Sequence, residues 1–550
     1  MSKNIQLLPY LMLIAVLVEA QNTVGLLSYD EDLSANGYTL IYPFNQPNVY
    51  LLNNCGEIAH QWTDDVAFVP GNTAYLLESS NLLKTKKTRI DPSFKISDGG
   101  EGETVELRNW DNDLLWSFTL NNDTLRLYHD VEPMPNGNIL MIAWEAKSRD
   151  DAIAAGRDSS KLGETFWPDV ILEVDPLQDS VVWQWHAWDH LIQDHNSLKA
   201  NFGSVNAHPE LIDINFDTDM DPDWMHTNAI DYHPELDQIM LCVSFFDEIW
   251  IIDHSMTTEE ARSHSGGRSN RGGDLLYRWG NPQSYDNGVP EDQLLFFPHN
   301  AQWIGDLLDD THPQFDKIAV FNNRIGSNFS AANVIDPPWN PANQRYDISG
   351  VTWGPSTYAQ TTTHPNPSSF FSNGLSSVQF LRNENILLTS GRQGYLVELT
   401  KENQIVWEYK IPLRNGFPVS QGDTLRNTEN LIFHAIKYPL DYPAFIRKPI
   451  GGRLWLELNP DTLACAVTTY TEDENLSNMQ IYPNPATDFF TVQIDAGIKR
   501  HIVFSWLGKI MTQGLTDLNG ETTIRTEHWP PGIYFVHIED HQPAKIIVPK

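Results

Sequence analysis

The chain has 550 residues, and its 72 acidic against 36 basic side chains give a net charge of −36. Such a charge repels phosphate backbones and argues against nucleic acid as a partner. The length exceeds the roughly 100 to 200 residues of one ordinary domain, so one large repeat architecture with a small appendage is expected.

At the N-terminus, Lys3 is followed by the apolar run Leu7 to Val18 and by Glu19-Ala20-Gln21. This predicts a secretory signal peptide over residues 1–20. The run is shorter than the roughly 20 residues that span a bilayer. No other stretch is long and apolar enough, so no transmembrane helix is expected.

Between about residues 36 and 470 one unit recurs, a series of short strands whose last ends in tryptophan. Val49 to Leu52 leads to His60-Gln61-Trp62, and Val105-Glu106-Leu107 leads to Leu114-Leu115-Trp116. Ile171 to Val174 precedes Trp183-Gln184-Trp185, Glu248 to Asp253 precedes Arg278-Trp279, and Tyr395 to Leu399 precedes Val406-Trp407. Alternating strands joined by Asn, Asp and Gly turns are β signals, and aromatics at fixed places in a repeat of several tens of residues suit β-propeller blades. The expectation is an all-β chain: a six-bladed β-propeller over residues 21–470, then a small C-terminal β-sandwich over 478–550, joined by a linker at 471–477. Six blades fit best, and the spacing also admits five or seven. A β-sandwich array would not explain the tryptophan period. Residues 186–223, 254–273 and 325–370 are polar and rich in turn formers, which reads as loops over one face.

Three histidines hold matching places. His129 precedes Asp130 to Asn138, His226 lies in Trp224-Met225-His226-Thr227-Asn228, and His299 in Pro298-His299-Asn300. Each is expected at the start of an innermost strand, aimed at the central channel. Neutral imidazole is a competent nucleophile and proton carrier near neutral pH.

The stretch Trp224 to Ser255, and Pro298 to Trp303 followed by Val320-Phe321-Asn322-Asn323-Arg324, resemble the bacterial arylsulfate sulfotransferases, patchily over residues 36–470. The resemblance implies a six-bladed propeller that moves a sulfuryl group from an aryl sulfate to a phenolic acceptor through a channel histidine. No nucleotide donor or cofactor is implied. It further implies His226, His299 and Arg324 as catalytic residues, with His129 near the channel; His129, Arg392 and Asn228 are expected to bind substrate, and no metal is expected. The family's nucleophile lies in a later blade, yet the comparable stretch Leu388 to Tyr395 contains no histidine. Three readings stand side by side: one of the three channel histidines attacks sulfur, Arg392 adds a second sulfate-binding cation, or the propeller is a non-catalytic binder of a ligand or surface glycan.

Met479 to Thr487, Gly532 to Val536 and Lys545 to Val548 resemble the C-terminal sorting domain of type IX secretion. That implies the type IX machinery as a partner and a secreted or outer cell-surface location.

The remaining residues read more plainly. Cys55, Cys242 and Cys465 are too few for a disulfide scaffold or zinc cluster. Cys242 reads as a buried strand residue. Cys55 and Cys465 lie near the ends of the central region, which meet in a closed ring, so a bridge between them is a hypothesis. His434 reads as structural, His364 as a solvated loop residue, and Asp217 to Asp223 as an acidic surface turn. The repeated tryptophans are expected in the core. No phosphate loop, Gly-x-Ser-x-Gly elbow or His-Glu-x-x-His helix is present.

Overall fold

The computed structural model describes residues 22–549 except 89–98, 217–221, 306, 351, 453, 462–464, 466–478, 506–509, 539–540 and 542–543. The expected signal peptide and linker lie outside the described residues.

Antiparallel sheets follow one another along the chain. The first is Phe68–Leu76, Leu82–Thr88, Thr104–Arg108 and Leu114–Thr119; the second is Leu125–Pro133, Ile139–Glu145, Asp169–Asp175 and Ser180–His186. The third is Thr227–His233, Gln238–Val243, Glu248–Asp253 and Tyr277–Trp279; the fourth is Pro298–Trp303, Ile318–Gly326, Phe329–Ile335 and Gln360–Thr362. The fifth, Ser377–Phe380, Ile386–Ser390, Tyr395–Leu399 and Ile405–Lys410, carries Gly25–Tyr29 as an outer fifth strand. In the sixth, the late strand Ala435–Pro439 pairs with Gly37–Ile41, Val49–Asn53 and Ile58–Trp62, so both ends of the repeat region share one sheet. These sheets form a β-propeller.

Buried side chains tie each innermost strand to the next. Tyr75 Oη donates to Asp130 Oδ1 at 2.7 Å, and the other Asp130 oxygen accepts from Ile230 N. Asp231 accepts from Trp303 N, Gln302 donates to Val378 O, Gln379 both accepts from Lys437 N and donates to Lys437 O, and Leu76 N donates to Tyr438 Oη. The chain of bonds returns to the strand on which it began.

The recurrent tryptophans form a second, outer set of links. The indole N–H of Trp62 donates to Asn109 O, that of Trp116 to Asp179, and those of Trp183 and Trp185 to Met256 O and Gly273 O. Trp279 donates to Pro355 O and Trp407 to Asn54 O. Each donor sits on an outer strand and each acceptor belongs to the following sheet. The ring buries apolar area while its N–H finds a partner, which explains why tryptophan recurs at that place.

Two residue stretches expected in loops are placed differently by the structure. Phe329–Ile335, expected within a loop, is the third strand of the fourth sheet; its Ser-Ala-Ala-Asn sequence has low strand propensity, and packing overrides it. His364, expected in solvent, is buried, stacked on Phe370 and within 3.3 Å of Tyr395 Oη.

The tail forms two further sheets, Gln480–Tyr482, Phe489–Gln493 and Glu521–Arg525 facing Arg500–Ser505, Ile510–Leu515, Gly532–Ile538 and Ala544–Val548. Phe490, Val492, Val503, Val536 and Ile546 fill the space between them, the sandwich arrangement expected.

Cys55 and Cys465 are disulfide-bonded across 410 residues, with a Cα–Cα distance of 5.7 Å, and Cys242 is a buried free thiol. Unfolded, unreduced protein is therefore expected to titrate one thiol of its three cysteines. Cys55→Ser should lower stability by about 2 to 5 kcal/mol, measured by denaturant unfolding.

Candidate active site

His129 and His226 share an unusual backbone, with φ of +53° and +52°. A non-glycine residue in this left-handed region costs about 1 to 2 kcal/mol. His129 lies at a bulge within Leu125–Pro133, and His226 immediately precedes Thr227–His233. His299 is the second residue of Pro298–Trp303, and the next residue, Asn300, has φ +51°. The rings of His129 and His226 meet edge to face at 4.6 Å. Gly100 makes room for the first: a Cβ there would lie 2.2 Å from His129 Cε1, at a φ of +92°.

The hydrogen bonds decide which nitrogens carry protons. Asn323 Nδ2 donates to Ser372 O at 2.8 Å and Leu375 O at 2.9 Å, so its Oδ1 must face His299, whose Nδ1 lies 2.8 Å away. His299 Nδ1 also faces Phe297 O, and so carries the hydrogen, which leaves the lone pair of the neutral ring on Nε2. Burial, then the neighbouring His226, push the His299 pKa down to about 3. Burial likewise drives His129 well below the ordinary imidazole value. His226 differs, because its Nδ1 bonds to the fully buried carboxylate of Asp223. Asp223 is itself held by Trp144 Nε1 at 2.9 Å. The expected acidic surface turn is thus corrected at its last residue: Asp223 faces inward and orients His226.

Two guanidiniums stand beside these rings. Arg392 is close enough to His299 that its charge helps to lower the histidine pKa. Its Nε is buried without a hydrogen bond, and among the described residues its guanidinium has no carboxylate partner. Arg324 donates to Asn373 O at 2.9 Å and 3.1 Å and lies 3.7 Å over the Phe297 ring. Burial of each lowers its pKa. Asn228 is fully buried and donates to Ser244 Oγ and Pro298 O, so it braces the strand that carries His299.

Three phenylalanines that carried no sequence signal wall the site. Phe245 stacks on His226 at 4.5 Å, Phe297 lies 5.4 Å from His299, and Phe433 is 6.4 Å from His129 and 6.3 Å from His299. Further along the same strands a cavity of about 460 Å³ opens, lined by Asp130, Asp231, Asn300, Gln302, Gln379 and His434 among others. The cavity begins one residue beyond His129 and His299 and three beyond His226 along their strands.

Comparison with known proteins places the whole chain. The family model Arylsulfotransferase (ASST) matches residues 114–413, more than half of the chain, and the model Secretion system C-terminal sorting domain matches residues 480–549. The chain belongs to the arylsulfotransferase family. Its tail marks it for the type IX secretion machinery and for export to the cell surface or beyond; among the described residues no helix is long and apolar enough to cross a membrane. No curated protein matches. Solved structures with similar folds include a protein of unknown function from Bacteroides caccae (10% identity, 73% of this chain and 99% of that chain, TM-score 0.39). Virginiamycin B lyase from Staphylococcus aureus is another (10%, 72% and 87%, 0.29), as is a functionally unknown protein from Desulfotomaculum acetoxidans (8%, 73% and 99%, 0.31).

The depressed His299 pKa has a thermodynamic consequence. Between about pH 3 and 6.5 the unfolded chain binds a proton at this residue and the folded chain does not, so its contribution falls as pH falls. Asp130 and Asp169, whose pKa values burial raises to about 7, act in the opposite direction. The measurable quantity is therefore a difference. His299→Gln should gain stability relative to wild type by roughly 1 kcal/mol per pH unit as pH is lowered from 6.5 to 5, read by chemical denaturation at each pH.

Proposed function

We propose that the protein is an exported aryl sulfotransferase in which His299 Nε2 attacks the sulfur of an aryl sulfate. The observation that carries this reading is the fixed tautomer of a neutral His299, next to an Arg392 guanidinium with no carboxylate partner among the described residues. In a chain of net charge −36, a cation left without an acidic partner suits an anionic substrate.

In this scheme a new S–N bond forms at His299 as the S–O bond to the aryl group breaks. Arg392 and Arg324 hold the sulfate oxygens while charge moves onto the departing phenolate. His226, steadied by Asp223, delivers a proton to that oxygen, then takes the proton of the incoming phenol as the phenol oxygen bonds to sulfur and the S–N bond breaks, which releases His299. Phe245, Phe297 and Phe433 give the aryl ring an apolar wall, and His129 completes the site beside His226. The protein would run as a signal peptide over 1–20, a six-bladed propeller over 21–470 and a sorting tail over 478–550.

A second reading, a non-catalytic propeller that binds a ligand or surface glycan, draws on the lack of histidine in Leu388 to Tyr395. The two readings part on one experiment. Intact-protein mass after incubation with 4-nitrophenyl sulfate alone should rise by one sulfuryl group, mapped to the peptide containing His299 and lost in His299→Ala. Arg392→Ala should lower kcat/KM by about 10²-fold, and His226→Ala should lower transfer to a phenol by about 10²- to 10⁴-fold. A label on another histidine would move the nucleophile, and no label with no nitrophenol release would favour the binder.

A further inference from the structure

We propose that His190, His264 and Asp274 bind one divalent transition-metal ion of the zinc class, at the rim of the propeller and apart from the channel. His190 closes the short turn Ala187–His190 after the outermost strand of the second sheet. His264 and Asp274 belong to the connection between Glu248–Asp253 and Tyr277–Trp279 of the third sheet. The three ligand atoms lie within 4.8 Å of one another. His190 Nδ1 is 2.8 Å and His264 Nδ1 2.7 Å from the same Asp274 oxygen, Oδ1.

The other nitrogen of His190 supplies the second observation. Nε2 lies 2.8 Å from Ala261 O, so it carries hydrogen, and Nδ1 is the ring atom left facing Asp274 and His264 in a fully buried side chain. An imidazole that donates its outer N–H to a carbonyl while its inner nitrogen meets a carboxylate and a second imidazole is the arrangement metal-bound histidines require.

The dimensions fit with small movements. Bonds of about 2.0 to 2.2 Å to nitrogen and oxygen place tetrahedral ligand atoms roughly 3.4 Å apart. The two short contacts would therefore open by about 0.6 Å. Gly273 permits the crowding, since a Cβ there would lie 2.1 Å from Ala261 O and 2.4 Å from His190 Nε2. His264 is exposed and gives the ion an entry path, with water as fourth ligand. A set of two imidazoles and one carboxylate selects zinc or its neighbours over calcium or magnesium. The ion would fasten the 261–274 connection of the third sheet to the second, beside the Trp185 to Gly273 bond.

The test is titration of the chelator-treated full chain with zinc chloride by calorimetry, with cobalt as an optical probe. One equivalent should bind, with visible cobalt bands, and the unfolding midpoint should rise with zinc concentration. His264→Ala, a change at an exposed side chain, should weaken binding more than about 10-fold and abolish the shift, whereas His226→Ala should leave the equivalent in place. No saturable binding by the wild-type chain, or unchanged binding by His264→Ala, would overturn the proposal.

Discussion

Closure of the innermost strands by hydrogen bonds from buried side chains is the constraint on which the structure depends. A strand facing a channel presents polar groups where neither bulk water nor an apolar core satisfies them. Here Asp130, Asp231, Gln302, Gln379 and the hydroxyls of Tyr75 and Tyr438 meet that demand by reaching to the next sheet. Each such bond contributes about 1 kcal/mol net, but leaving one partner buried and unmet costs about 1 to 3 kcal/mol. The ring is thus held as a set, and the shared sixth sheet and the Cys55 to Cys465 bridge close the same circle in covalent and strand-pairing terms.

That closure gives the histidines a common destination. Because inner strands from separate sheets converge, His129, His226 and His299 occupy one small volume without being near in sequence. The left-handed backbone at two of them is a cost the closed ring can sustain, since neighbouring strands over-determine the local path. Burial then keeps His299 and His129 neutral, while buried Asp223 holds His226 by its Nδ1. Similar residues acquire different roles from their partners, as catalytic pairs commonly do.

How much of this was legible in the sequence follows from the range of each signal. The tryptophan period is a local pattern and survives in the structure, as do the strand starts at His226 and His299, whereas His129, expected to open its strand, lies at a bulge within Leu125–Pro133. Asp223 reads as one more acid in an acidic run, because nothing local says that Trp144, 79 residues earlier, will cover it. Asn323 sits inside a recognisable motif, yet its role depends on carbonyls at Ser372 and Leu375 that only the fold supplies. Phe245, Phe297 and Phe433 look like ordinary core residues until the ring brings them to one place. The strand Phe329–Ile335 was hidden by small polar residues that take up strand geometry only because flanking sheets require it.

The missing histidine of the later blade is best understood as a redistribution of charge. Arg392 stands in that stretch, and its charge adds to burial and to the neighbouring His226 in lowering the His299 pKa. In the proposed scheme a neutral histidine there would leave sulfate to Arg324 alone, which already donates to Asn373, whereas Arg392 would supply a second guanidinium for the anion. In that scheme the absence of a histidine from this stretch would not remove the nucleophile, because burial already favours the neutral form of His299, whose Nδ1 faces Asn323, and the Arg392 charge adds to that effect.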